Sequence, residues 1–242
     1  MIPQFGVRHT SDGLAMDSRP ETIRRSIEGS LRRLQTDYLD LYYQHRVDLN
    51  VRAEEVAGVM SDLMREGKIL HWGISEATEE VIRKAHAVCP LTAIQNRYSM
   101  LARQYEPLFA VLKELNIGFV AFSPLGNGFL SACYNKGEEF TGTADYRRRM
   151  PQFTSEGFDT NRPLTDMICD VAASKGVTPA QIALAWTMAK EDFIVPIPGT
   201  RKADRLAENL GAANVELTTG EMHAMEGLLC KHSFTVFNGS KK

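Results

Sequence analysis

The 242-residue chain has no apolar run near the ~20 residues needed to span a bilayer. Its first residues, Met1-Ile2-Pro3-Gln4-Phe5-Gly6, lack the basic and apolar regions of a secretory signal. The four cysteines, Cys89, Cys133, Cys169 and Cys230, lie far apart with no CxxC pair, which argues for reduced thiols and a cytoplasmic setting. Charge of one sign is also missing. The formal net charge is −2 and the pI about 6.3, so there is no general attraction for nucleic acid or an anionic membrane. An anionic ligand must then be held by a local cluster of cations. No glycine-rich GxGxxG follows any apolar run, which weighs against an open dinucleotide-binding sheet. None of the motifs described below is a metal site, and no solenoid repeat or linker interrupts the chain, which reads as a single domain over 1–242.

What is present is alternation. Residues 2–7 suit a short strand and 8–17 a polar loop. Ser18-Arg19-Pro20-Glu21 has the form of a capping box, and Ile23, Ile27, Leu31 and Leu34 then recur at helical spacing. Arg24, Arg25, Arg32 and Arg33 fall largely off that face and suit solvent. Strands are expected at 39–45, 69–74, 91–95, 118–122 and 193–197, and helices at 53–66, 78–87, 104–115, 164–175 and 178–190. A last helix is capped by Thr218-Thr219-Gly220-Glu221, and the tail from Ser233 reads as loose. The stretch 127–162 has little periodicity, which marks a functional or disordered loop. Short apolar strands alternating with amphipathic helices imply a parallel sheet covered by helices. Either an open doubly wound sheet or a (β/α)8 barrel satisfies that pattern. Polar residues directly after successive strands (His45, Ser75, Gln95, Ser123, Thr200) favour the barrel, whose sites lie at strand C-terminal ends.

The most informative stretch is 194–210. An apolar run, Ile194 to Ile197, is broken by Pro198-Gly199, and a helix start follows near Asp204. Thr200, Arg201, Lys202 and Arg205 gather at that helix N-terminus. Unpaired N–H groups and guanidinium forks there accept an anion, so the functional reading is a phosphate pocket. A solvated basic turn fits the same residues. His45 carries the same ambiguity: Leu39, Leu41, Tyr43 and His45 share one side of their strand, and the histidine is a site residue or a hydrogen-bonded rim residue.

These residues together resemble the aldo-keto reductase family. Pro198-Gly199-Thr200-Arg201, with Arg205 four residues on and then Glu208-Asn209, resembles the NADP-binding end of its barrel. The resemblance implies that Gly199, Thr200, Arg201 and Arg205 meet the 2′-phosphate and ribose, and Glu208 and Asn209 the adenine. Asp40-Leu41-Tyr42-Tyr43-Gln44-His45 resembles the strand whose final histidine hydrogen-bonds the substrate carbonyl. Gly73-Ile74-Ser75-Glu76 and Gln95-Asn96-Arg97-Tyr98 resemble the strand ends whose Ser and Gln hold the nicotinamide carboxamide, with Glu76 standing where the family usually has Asn. Phe122-Ser123-Pro124-Leu125-Gly126-Asn127-Gly128 resembles the loop over the pyrophosphate, with Phe122 where an aromatic stacks on the nicotinamide. A strand-capping Ser, a core Phe and ordinary turn glycines are the bland counterparts.

The resemblance implies a TIM-type (β/α)8 barrel, here incomplete with about six βα units, and NADPH-dependent reduction of a small aldehyde or ketone. The family's Asp and proton-donating Tyr would lie in the two missing N-terminal units. Its Lys would fall in the pattern Thr-Lys-Phe-Gly, which reads Pro3-Gln4-Phe5-Gly6 here, so Gln4 takes the Lys position. A glutamine neither donates a proton at neutral pH nor lowers a phenol's pKa. Two further readings follow: an NADP(H)-binding regulatory or accessory protein without turnover, and another phosphate-binding barrel enzyme using His45 as acid or base. Missing units would also leave sheet edges at 2–7 and 193–197, from which a homo-oligomer is expected.

Overall fold

Helical periodicity near the N-terminus is realised as drawn. In the computed structural model, which describes residues 2–10, 13–142 and 145–237, two very short segments, β1 (Gln4–Phe5) and β2 (Val7–Thr10), precede β3 (Gly13–Met16). Helix α1 (Pro20–Leu34) then buries Ile23, Ile27 and Leu31 on one face, each contributing about 2 kcal/mol by leaving water. Next come β4 (Leu39–Gln44), α2 (Ala53–Arg65), β5 (Ile69–Ser75), α3 (Glu79–Val88), β6 (Ala93–Arg97), α4 (Phe109–Glu114) and β7 (Gly118–Phe122). Helices α5 (Ser155–Lys175) and α6 (Pro179–Ala189), strand β8 (Ile194–Ile197), and helices α7 (Ala203–Gly211) and α8 (Thr219–Lys231) complete the order.

Six parallel strands hydrogen-bond in the order β1-β4-β5-β6-β7-β8, with β1 and β8 at the ends, and helices connect them. This is the α/β, TIM-like arrangement expected. The described residues form two compact units, one of residues 1–96 and 107–120, the other of 97–106 and 121–242.

In the first unit the register pairs Gln4 with Tyr43, Tyr43 with Gly73, and Ser75 with Gln95. The absence of a side chain at Gly73 is required: a Cβ there would collide with the Tyr43 ring and the Ala93 carbonyl. Val56, Val59, Met60 and Leu63 of α2 are buried as their spacing predicts. Gly67, with φ of +72°, ends that helix in the left-handed conformation a glycine adopts freely. In the second unit Thr178 and Gln181 form a full capping box for α6, which buries Ile182, Leu184 and Trp186. Thr218 and Glu221 do the same for α8. Among the described residues no helix is long and apolar enough to cross a membrane.

Several local expectations are corrected. The stretch 8–17, read as loop, contains the antiparallel β2–β3 hairpin, while residues 11 and 12 lie outside the described residues. Ser18 does not cap α1. Arg19 holds the N-cap position without a side-chain bond, because the Ser18 N–H donates to Asp48 Oδ2 at 2.9 Å and its hydroxyl accepts from Gln44 at 3.0 Å. Strand β6 runs two residues further than 91–95, so Gln95 lies within it. The helix expected over 104–115 is a 3-10 turn, Glu106–Leu108, followed by the short α4.

The largest difference is at 127–162. Three 3-10 turns occupy part of it, and α5 begins at Ser155, nine residues before the expected start. Gly157 and Pro163 look like breakers, yet Thr154 caps the helix by accepting from the Gly157 N–H at 3.0 Å. Pro163 forfeits one backbone bond inside a 21-residue helix that buries Leu164 and Ile168. Residues 143 and 144 lie outside the described residues. The tail is also held as far as Phe237. Asn161 exchanges two 2.8 Å hydrogen bonds with the Thr235 backbone, and the Phe237 N–H donates to Gln152 at 2.9 Å. Residues 238–242 of the tail lie outside the described residues.

Candidate functional site

In the second unit β8 ends at Ile197, and Pro198–Lys202 leads into α7. No side chain caps that helix at its N-cap, Lys202, whose own N–H donates to Thr200 Oγ1 at 3.1 Å. Its first-turn N–H groups therefore remain available to an anion. A cleft of about 710 Å³ opens there. Phe122, Ser123 and Leu125 line it, together with Gly199, Thr200, Arg201, Lys202, Arg205 and Asn209. Arg147 and Asp145 also line it and neutralise each other through a 2.5 Å ion pair, with Arg147 stacked on the Tyr134 ring at 4.9 Å. That leaves Arg201, Lys202 and Arg205 as a positive cluster beside a helix N-terminus, with Glu208 4.0 Å from Arg205 and Asp204 in the helix's first turn. Arg205 also approaches Cys133 Sγ at 3.7 Å.

Two expected residues are placed elsewhere. Gly126 is absent from the lining. Its left-handed φ of +56° makes the turn after Ser123, and its carbonyl accepts from Gln152 at 3.4 Å. Glu208 is also off the lining, 4.0 Å from Arg205, while its carbonyl accepts from Gln181 at 3.0 Å. Phe122, at the end of β7, carries the Arg97 guanidinium over its ring at 5.0 Å.

In the first unit Ser75 ends β5 beside Gln95 of β6, Gln95 meets Gln4 of β1, and His45 lies just past the end of β4. His45 is half-buried just past β4, with its N–H donating to the Phe5 carbonyl at 2.8 Å. Burial lowers its pKa from the ordinary value and the Arg46 charge lowers it further, against an opposing pull from Glu76, so the imidazole is neutral at pH 7. Ser75 is fully buried and adjacent to Gln95 in register. Gln95 Oε1 accepts from Gln4 Nε2 at 3.2 Å.

Sequence reading missed Arg46. Its Nη1 donates to the His45 carbonyl at 2.6 Å and to Ser75 Oγ at 3.1 Å, and its Nε lies 3.2 Å from Glu76 Oε2. Glu76 adopts a left-handed φ of +55°, and its N–H is held by Asn96 Oδ1 at 2.7 Å. The only trace of this network in the sequence was the departure of Glu76 from the family's Asn. Its partner stands 30 residues away with nothing local to connect them.

The model of the aldo/keto reductase family matches residues 10–229. Two solved structures are similar. The glycerol dehydrogenase AKR11B4 from Gluconobacter oxydans superposes with a TM-score of 0.88 at 24% identity, covering 99% of this chain and 74% of that one, a likeness of fold. The thermostable aldo-keto reductase Tm1743, solved with the inhibitor epalrestat, superposes with a TM-score of 0.68 at 27% identity, covering 87% of this chain and 67% of that one. Because the family match extends from the hairpin to the last helix, the chain belongs to the aldo/keto reductase family, whose members are oxidoreductases that generally use NAD(P)H.

Proposed function

We propose that this chain binds NADP(H) and is built for the reduction of a small aldehyde or ketone. The observation that carries this reading is the cleft beside the α7 N-terminus, where Arg201, Lys202 and Arg205 have only one acidic neighbour in the lining, Asp145, already paired with Arg147. That donor set suits a phosphate monoester. Among the lining residues it offers no unpaired carboxylate for the ribose 2′-hydroxyl that NAD would present, and the nearby Glu208 faces Arg205 at 4.0 Å. Following the family pattern, Gly199, Thr200, Arg201 and Arg205 would hold the 2′-phosphate and ribose, and Asn209 the adenine, with Glu208 beside Arg205 just outside the lining. Ser123 and Leu125 would follow the pyrophosphate, with Gly126 shaping the turn behind them, Phe122 would face the nicotinamide, and Ser75 and Gln95 would hold its carboxamide.

When bound, the nicotinamide supplies a hydride to the carbonyl carbon. His45, kept neutral, can donate an N–H to the carbonyl oxygen. The oxygen that becomes charged then needs a proton, and the family pattern assigns that to a Tyr activated by a Lys. Gln4 stands at the Lys position with its amide bonded to Gln95. It carries no charge with which to lower a phenol's pKa. This favours slow turnover, and it supports the second reading, a nucleotide-binding protein without turnover.

The test is fluorescence titration with the Arg201→Ala, Arg205→Ala double variant. Loss of two charge-assisted contacts should weaken NADPH by roughly a hundredfold and leave NADH almost unchanged. Equal losses for the two nucleotides would overturn the assignment.

A further inference from the structure

Ser75 Oγ is buried, and the group that touches it is not a neighbour in sequence. Arg46, one residue beyond His45, reaches across to β5 and donates to that oxygen at 3.1 Å while bonding the His45 carbonyl at 2.6 Å. A guanidinium has donors only, so Ser75 must be the acceptor in this bond. Its own hydroxyl hydrogen is thereby turned away from Arg46 and made available to another acceptor. Arg46 and Glu76 are each about 70% covered, and their ion pair of 3.2 Å holds the guanidinium in this place. The left-handed conformation of Glu76 costs energy for a non-glycine residue and is sustained by Asn96 Oδ1 on its N–H at 2.7 Å.

We propose that Arg46 is the positioning residue of the nicotinamide end, that it fixes the Ser75 hydroxyl as a donor toward the carboxamide oxygen, and that Glu76 serves as its counter-ion instead of touching the cofactor. This rests on the reading of Ser75 as a carboxamide contact. It explains the unusual residue after that serine. The family's Asn is uncharged and could not anchor a guanidinium, whereas a carboxylate can. Arg46 also ties the ends of β4 and β5 together, so the backbone carrying His45 and the hydroxyl of Ser75 are set by one group.

The geometry has an electrostatic signature that needs no nucleotide. The charged groups acting on His45 are Arg46 and Glu76. Neighbouring β1 presents Gln4 and Phe5, neither of which titrates, and Asp48 is engaged by the Ser18 and Asn50 N–H groups. Arg46→Met should raise the His45 titration midpoint and Glu76→Gln should lower it, as followed by imidazole NMR signals. Arg46→Lys keeps the charge and should titrate close to wild type while losing the forked contact.

Binding supplies the second arm. Arg46→Met should weaken NADPH roughly tenfold and leave 2′,5′-ADP, which has no nicotinamide, unchanged. Ser75→Ala should cause a similar loss, and the double variant should lose little more than either alone. Equal weakening of 2′,5′-ADP would indicate general damage and overturn the proposal, as would additive losses or a His45 midpoint indifferent to both variants. Failure of the unaltered protein to bind NADPH would overturn the nucleotide reading, a result distinguishable from the others. The His45 titrations would then decide the Arg46–Glu76 arrangement by themselves.

Discussion

The side chains of Gln4 and Gln95 meet at 3.2 Å although β4 and β5 lie between their strands in the sheet. Strands are spaced about 4.8 Å apart, so in a flat sheet three steps would separate the two by roughly 14 Å. The contact requires that this part of the sheet curl, with both residues pointing to its concave side. Such curling is what a partial barrel demands, and it places Gln4 directly against a residue expected to hold the cofactor.

Activity follows from that pairing. A positioned acid typically contributes about a hundred- to ten-thousandfold to a reaction of this kind. NADPH oxidation with a panel of aldehydes is therefore expected to run below that of a member with the family's Lys in place of Gln4 by a factor in that range. Robust turnover that vanishes in His45→Ala would identify an acid at His45 or Tyr43 and overturn this expectation.

The ends of β4 and β7 were legible because a polar residue, His45 or Ser123, follows each directly, and the helices because their apolar spacing is regular. Val56, Val59, Met60 and Leu63 are buried as their period dictates. The misses share a cause: long-range bonds overrode local signals. Ser18 has the sequence of a cap, but Asp48 and Gln44 claim it. Gly157 and Pro163 look like breakers, but the Thr154 cap and the buried face of α5 outweigh them. The Asn161 and Gln152 side chains that hold the tail are remote from it in sequence. Of the candidate site, the basic turn was visible in one stretch. Arg46 was not, since its meaning depends on Ser75 and Glu76 reaching it through the fold.

Gly73→Ala should be strongly destabilising. The added methyl would meet the Tyr43 ring and the Ala93 carbonyl, and a backbone oxygen in a sheet has little room to retreat. Overpacking of this kind costs about 1–3 kcal/mol. Urea unfolding should show it as a lowered midpoint with unchanged slope, and no measurable change would mean that the Tyr43 ring can move aside.

Acid should weaken the first unit through Asp17. Two 2.9 Å hydrogen bonds from Arg19 hold this carboxyl well below the usual carboxylate range, against the opposing effect of burial. A depressed folded pKa contributes stability that is fully present above the unfolded value of about 4 and is lost as pH falls toward the folded one. Arg19 is 57% exposed, so salt should reduce the effect. Asp17→Asn should lower stability at neutral pH and flatten the decline between about pH 5 and pH 2. Parallel declines in variant and wild type, followed by urea midpoints, would assign the acid sensitivity elsewhere.

Glu226 should be the costliest carboxylate to remove in the second unit. Its Oε1 accepts from Trp186 Nε1 at 3.1 Å and from Lys190 at 2.8 Å, and its Oε2 accepts from Arg103 at 2.8 Å. Trp186 is fully buried and has Tyr98 stacked on it, so its N–H cannot turn to water. Glu226→Ala would orphan that donor and leave two cations facing Glu106 alone, 2.9 Å from Arg103 and 3.4 Å from Lys190. Breaking a fully buried pair costs about 3–5 kcal/mol. Glu226 is 25% exposed and Glu106 retains part of the compensation, so the loss should be about 2–3 kcal/mol. Glu226→Gln keeps an acceptor for the indole and should cost about 1 kcal/mol. Urea unfolding read by tryptophan emission measures both. A loss below about 0.5 kcal/mol for the alanine variant would show that water or Glu106 takes over all three bonds.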